Sequence, residues 1–237
     1  MVDIDVYNTP SAVDAITFLA KELAFAAPTR PNQPKKVLLS ANGTIDFEHY
    51  NKLPLLNVAI NSFNQQLAAA YIDRDALFSQ LAQLFYGTPY AVSLIHRHFL
   101  LNSGERMVEN NRSVKPSFDS SPNIVPQIWL RTGQAIEFQY ISDPSTIAQP
   151  PSPAFFSTFN SILDRYGVDV LGISYRTDPG RCYTYLEEDG PGDRERVVVL
   201  IGQELVPCNA PEVTWIPMYT ENHRLIMVAC CNCTVNC

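Results

Sequence analysis

The sequence predicts an α+β protein: a helical N-terminal third packed on a mostly antiparallel sheet built from hairpins, with one further helix at about 153–166. Three observations predict it. Apolar residues recur at helical spacing as far as Phe85, and beyond Tyr90 they fall in short strand-like runs separated by turn residues. Of 237 residues, 46% are hydrophobic and 17% charged, which suits a packed globule and excludes a disordered chain. Eighteen prolines against ten glycines imply fixed turns rather than long flexible linkers. The expected organisation is a single domain over 1–229 followed by a Cys-rich tail at 230–237.

Thr9-Pro10-Ser11 with Asp14 reads as a helix start. Val13, Ile16, Leu19, Ala20 and Leu23 mark its apolar face, and Pro28, Pro31 and Pro34 cannot continue it. Residues 36–40 read as a short strand and Asn42-Gly43 as a tight turn. Pro54 opens a second helical region. Val58, Phe63, Leu67, Ala70 and Tyr71 form one face, and Leu77, Phe78, Leu81, Leu84 and Phe85 form another beyond Asp73, before Gly87 and Pro89 close it. An apolar strand at 91–101 follows, interrupted only by Ser93 and His96-Arg97-His98.

Three hairpins are expected past that strand: 124–130 with 135–141, 182–187 with 195–201, and 213–219 with 225–231. Between them, Ser152-Pro153 caps a helix carrying Phe155, Phe156, Phe159, Ile162, Leu163 and Tyr166, and Gly167 ends it in the left-handed conformation. A buried strand at 168–175 comes next.

The net charge of −7, with no clustered Lys or Arg, excludes a nucleic-acid backbone as the main partner. No apolar run reaches the roughly 18 residues of a transmembrane helix. Met1-Val2-Asp3-Ile4-Asp5 lacks the basic start of a secretory signal, so a soluble, cytoplasmic protein with cysteine thiols is expected. Gly-x-Ser-x-Gly, P-loop and Gly-x-Gly-x-x-Gly motifs do not occur.

Two constellations carry candidate chemistry. On a strand, His96 and His98 share a face, an arrangement that aims two imidazoles at one divalent transition metal. Glu105 is the expected third ligand, with Glu109, Glu137, His49 and His223 as the other choices. Without a metal, His96 or His98 serves as general base, with Arg97 or Tyr140 near an anionic group of a small-molecule ligand. His96, Arg97 and His98 are thus the candidate catalytic residues. Structurally, Arg97 would pair with Glu137 or Asp169. The second constellation places four thiols in eight residues: Cys230, Cys231, Cys233 and Cys237. They offer an alternative soft-metal site, or a place for palmitoylation, or exposed thiols at a frayed end. The leading reading is a protein that binds or acts on a small molecule through the His-Arg-His centre. The alternative is a non-enzymatic interaction or metal-handling protein acting through its cysteine tail.

Overall fold

The computed structural model describes residues 43–69, 73–142, 149–176, 184–201, 206–207 and 210–233. The helix expected at 10–27 and the strand at 36–40 lie outside them. Four helices are described: α1 (Phe47–Tyr50), α2 (Leu56–Ala69), α3 (Arg74–Phe85) and α4 (Pro153–Tyr166). The strands are β1 (Tyr90–Leu94), β2 (Arg106–Asn110), β3 (Ser113–Ser117), β4 (Ile124–Trp129), β5 (Ala135–Tyr140), β6 (Leu171–Tyr175), β7 (Thr184–Asp189), β8 (Arg196–Ile201), β9 (Glu212–Tyr219) and β10 (Leu225–Cys233).

The ten strands close into a barrel in the order β1-β6-β4-β5-β2-β3-β8-β7-β10-β9. This overturns the expected helical third on an open sheet. Closure is made by the short pairing of β1 with β9, Val92 opposite Trp215 and Ser93 opposite Thr214. Two pairs, β2 with β5 and β7 with β10, are parallel, and the rest are antiparallel. The missing part of the sequence reading was β2–β3. Their turn holds Asn111 at φ 49° and Arg112 at φ 69°, the doubly left-handed geometry of a tight hairpin. Pro116 lies in β3 beyond Ser113 and Val114, the two residues that pair with β8, so its missing N–H breaks no bond on that side.

Strand alternation divides the barrel wall. Val92, Ile173 and Trp215 belong to a core shared with Phe63, Leu77, Phe85, Phe159 and Leu163 of the helices. Ala91, Ser93, Ser174, Thr214 and Ile216 instead line an interior cavity. Inside, Ser93 Oγ donates to Ser174 Oγ at 2.8 Å, linking β1 to β6. The helices on the core side start and stop on local chemistry. Asp73 caps α3 by accepting from the Asp75 amide, and Ser152 caps α4 by accepting from Phe155. Gly167, at φ 64°, ends α4 with its amide on the Asp164 carbonyl. In α2 the buried set is Leu56, Ala59, Phe63 and Leu67, whereas Val58, expected on the apolar face, is exposed.

Gly172 on β6 is held by space rather than by dihedral. A Cβ there would run into the Ile95 side chain and the Trp129 carbonyl, and the carbonyl belongs to a strand that cannot retreat. Gly172→Ala is therefore expected to cost about 1–3 kcal/mol in chemical denaturation. A change under about 0.5 kcal/mol, the scatter of neutral surface substitutions, would show that β4 and β6 are less tightly fixed.

Candidate functional site

The segment expected as one strand over 91–101 is a strand only to Leu94. Ile95 still donates to the Val170 carbonyl, and then the chain leaves the sheet for the segment at 50–54. Arg97 donates its amide to the Pro54 carbonyl and its Nε to Leu53. Asn51 clamps Leu101 from both sides, its Oδ1 accepting from the Leu101 amide and its Nδ2 donating to the Leu101 carbonyl. These bonds direct His96 and His98 to the cavity and turn Arg97 away from it. The expected pairing of Arg97 with Glu137 or Asp169 is not formed; Asp169 accepts from Gln66.

The cavity has a volume of about 340 Å³. Its polar wall comprises His96, His98, Glu109, Gln127, Glu137, Glu187 and the hydroxyls of Ser93, Ser174 and Thr214, with Arg112 and Arg176 also lining it. His98 is the hub. Its Nε2 lies 3.2 Å from Glu137 Oε1 and its Nδ1 lies 3.1 Å from Glu187 Oε1, with all three side chains buried. Tyr50 locks this arrangement by accepting from the His98 amide and donating to Glu137 Oε1. Both carboxylates lie within ion-pair distance of the ring, and the hydrogen bond from His98 goes to Glu137.

The environment pushes the carboxyls in different directions. Burial opposes ionisation of Glu137, but the His98 charge and hydrogen bond outweigh it and hold the carboxyl below its ordinary range. Burial raises Glu187, reinforced by the Glu137 charge against the pull of His98 and Arg196. Burial also raises Glu109, although Gln127 donates to it at 2.8 Å. Burial likewise lifts Tyr50 well above its ordinary value, with Glu137 adding to the effect. His96 is lowered to about 4 by burial and by the neighbouring His98.

No protein-family model, curated protein or solved structure matches the chain.

Of the ligands expected around His96 and His98, Glu105 is placed elsewhere. It pairs with Arg194 at 2.8 Å and accepts from the Asn102 amide, and Arg194 holds its carboxyl at about 2. His49 is exposed beside Asp46, and His223 is exposed in the β9–β10 turn at φ 55°. Glu109 and Glu137 do reach the cavity. The cysteine constellation divides: Cys230, Cys231 and Cys233 belong to β10, and Cys237 lies outside the described residues. Cys230 and Cys231 line the cavity, while Cys233 is buried. Burial and Glu187 push the Cys231 thiol well above its ordinary value, which disfavours a reactive thiolate there.

Sequence reasoning missed Glu187 and Arg196. Glu187 follows Leu186 in a paired strand and is buried. Arg196 is wholly buried behind it, with Nη2 donating to the Glu187 carbonyl at 2.9 Å and Nη1 to Asp189 at 2.5 Å. The available signal was strand register. Asp189 and Arg196 face each other across the hairpin, an opposite-charge cross-strand pair. Among the described residues no helix is long and apolar enough to cross a membrane.

Proposed function

We propose that the barrel binds a small polar molecule in its interior and exchanges a proton with it through His98. The observation that carries this reading is the imidazole bracketed by two buried carboxylates on the cavity wall. That cavity lies at the lower end of the roughly 300–1,000 Å³ of small-molecule pockets, so the ligand is metabolite-sized. Three carboxylates, three hydroxyls and the Gln127 amide make the wall rich in acceptors. A ligand bearing several hydroxyl or amine donors fits the carboxyl-lined part of that wall, with Arg112 and Arg176 left for any acceptor it carries.

In this reading Glu137, ionised and hydrogen-bonded by Tyr50, holds the His98 ring in place. Glu187, whose carboxyl is raised by burial above its ordinary range, supplies or receives the proton as His98 reacts. Divergent carboxyl environments around one imidazole are what acid–base work at neutral pH requires. Residence in the cytoplasm is part of the same proposal, because it would keep Cys230, Cys231 and Cys233 as thiols.

The test is a panel of polyols, sugars, nucleosides and amines offered to the chelator-treated protein, read by thermal shift and by NMR of the histidine rings. At a concentration of 100 times Kd, a true ligand stabilises by about 2.7 kcal/mol. The expected result is that such compounds move the His98 ring signals and that His98→Ala and Glu137→Gln lose the stabilisation while remaining folded. If no panel member perturbs the cavity, or if His98→Ala binds as tightly as wild type, the reading fails.

A further inference from the structure

We propose that His96, Glu187 and Cys233 form a site for a borderline divalent transition metal such as Zn²⁺ in the wall of the cavity. The site does not depend on the ligand and proton chemistry proposed above, although Glu187 belongs to both. It draws one residue from each of the two sequence constellations, which the barrel brings together.

The first observation is the state of His96. Its Nδ1 lies 2.9 Å from the Leu94 carbonyl, which can only accept, so the proton sits on Nδ1 and the lone pair on Nε2. The residue is 7% exposed, and Nε2 is a buried nitrogen with no hydrogen-bond partner. Burying an acceptor without a partner costs free energy, and native structures rarely leave one so without cause. A metal-ligating histidine commonly has this arrangement: one nitrogen donates to a backbone carbonyl, which fixes the tautomer, and the other faces the ion.

The second observation is what surrounds that lone pair. One donor atom each from His96, Glu187 and Cys233 lies within 4.8 Å of the others, and all three residues are buried. Strand register sets two of them, because Cys233 stands directly opposite Glu187 in the parallel pair of β10 and β7. The third is set by the Leu94 hydrogen bond. A tetrahedral zinc with bonds of about 2.0–2.3 Å holds its donors roughly 3.3–3.7 Å apart. Binding would require these donor atoms to draw together from separations of up to 4.8 Å.

The donor set selects the ion. Imidazole nitrogen, carboxylate oxygen and thiolate sulfur suit Zn²⁺ or Co²⁺, whereas the sulfur disfavours Mg²⁺ and Ca²⁺. A carboxylate and a thiolate neutralise the two charges of the ion. Arg196 donates from Nη2 to Cys233 Sγ at 3.2 Å, a contact that would place a cation beside the sulfur ligand of a bound ion. Its own charge is answered by Asp189. Three protein ligands leave a fourth position, the arrangement of zinc sites that take water or substrate rather than of closed structural ones.

The experiment uses the full chain, stripped with chelator and titrated with Co²⁺ without any small molecule present. We expect one equivalent to bind, with a thiolate-to-cobalt charge-transfer band in the near ultraviolet that Zn²⁺ displaces. Cys233→Ser should abolish the band, and His96→Ala should weaken binding beyond the roughly 10–100-fold that loss of an outer-shell partner costs. Cys230→Ser should keep both the band and the affinity. X-ray absorption of the Zn²⁺-loaded wild type, which needs no variant to fold, should show one sulfur scatterer at about 2.3 Å. Absence of a charge-transfer band in wild type, its survival in Cys233→Ser, its loss in Cys230→Ser, or two or more sulfurs on zinc would each overturn the site. None of these results bears on ligand binding by chelator-treated protein, so the two proposals fail separately.

Discussion

Arg196→Met is expected to destabilise the metal-free barrel by about 3–5 kcal/mol at neutral pH, the range for removing one partner of a buried ion pair. Methionine keeps most of the volume, so the loss reports charge and hydrogen bonding rather than a cavity. Arg196 is wholly buried and its guanidinium donates to the Glu187 carbonyl, to Asp189 and to Cys233, with Nε 3.8 Å from Glu187 Oε1. Without it, Glu187 keeps His98 as its cationic neighbour while Glu137 and Glu109 oppose its ionisation. Glu187 can escape that repulsion by taking up a proton. The cost of the substitution should therefore fall as pH is lowered through the range where the carboxyl protonates, and grow toward pH 8. Urea unfolding of wild type and variant at several pH values measures this. In the double variant Glu187→Leu/Arg196→Met both charges are gone, and more than half of the lost stability should return. A loss below about 1 kcal/mol in the single variant, the range of an exposed pair, would mean that water reaches the guanidinium.

The weight of Arg196 shows where the sequence was legible and where it was not. Hairpins β4–β5, β7–β8 and β9–β10 are local events: alternation and turn residues sit within a few positions of one another, and the expected pairs form. Helix α4 was equally local, written in Ser152-Pro153 at one end and Gly167 at the other. Closure was not local. It depends on pairing β1 with β6 and β9, β2 with β5, and β7 with β10, contacts between residues from tens to more than a hundred positions apart that no periodicity encodes. The same holds for the site. His96 and His98 were visible as costly polar residues in an apolar run, although they reach the cavity from an irregular segment rather than from a strand face. The carboxylates beside His98 come from β5 and β7, and the wholly buried arginine behind them is Arg196 rather than Arg97. Which charged residue of a strand faces inward follows from the barrel's curvature and register, and these exist only once the sheet has closed.

Chelator-treated wild type should lose about 3 kcal/mol of stability through His96 alone as pH falls from 6.5 to 4. In the folded barrel, burial and the His98 ring hold His96 at about 4, below the ordinary 6.5, although Glu137 and the Leu94 carbonyl pull the other way. Between those two values the unfolded chain binds a proton at His96 that the folded chain does not. The unfolded state then binds more protons, so stability rises with pH over this window and is lost as pH falls. At about 1.4 kcal/mol per pH unit, the gap between 6.5 and about 4 gives the stated size. Above pH 6.5 both states carry a neutral ring, and below about 4 both carry the cation, so this contribution is flat outside the window. Other carboxyls titrate nearby, and subtracting the profile of His96→Leu removes their shared part. Leucine is apolar and of similar volume, and it removes the unpartnered Nε2 together with the titration. Urea unfolding from pH 7.5 to 4 measures both profiles. The difference should be a single sigmoid spanning the window, with wild type losing ground toward acid. A flat difference would place His96 in contact with water and with an ordinary affinity for protons. The same substitution separates the two roles of the ring: if His96 holds a metal, saturating Zn²⁺ adds stability to wild type at pH 7 by mass action and adds little to His96→Leu. A neutral lone pair that costs stability when empty and gains it when filled would tie the burial of His96 to the chemistry of the cavity.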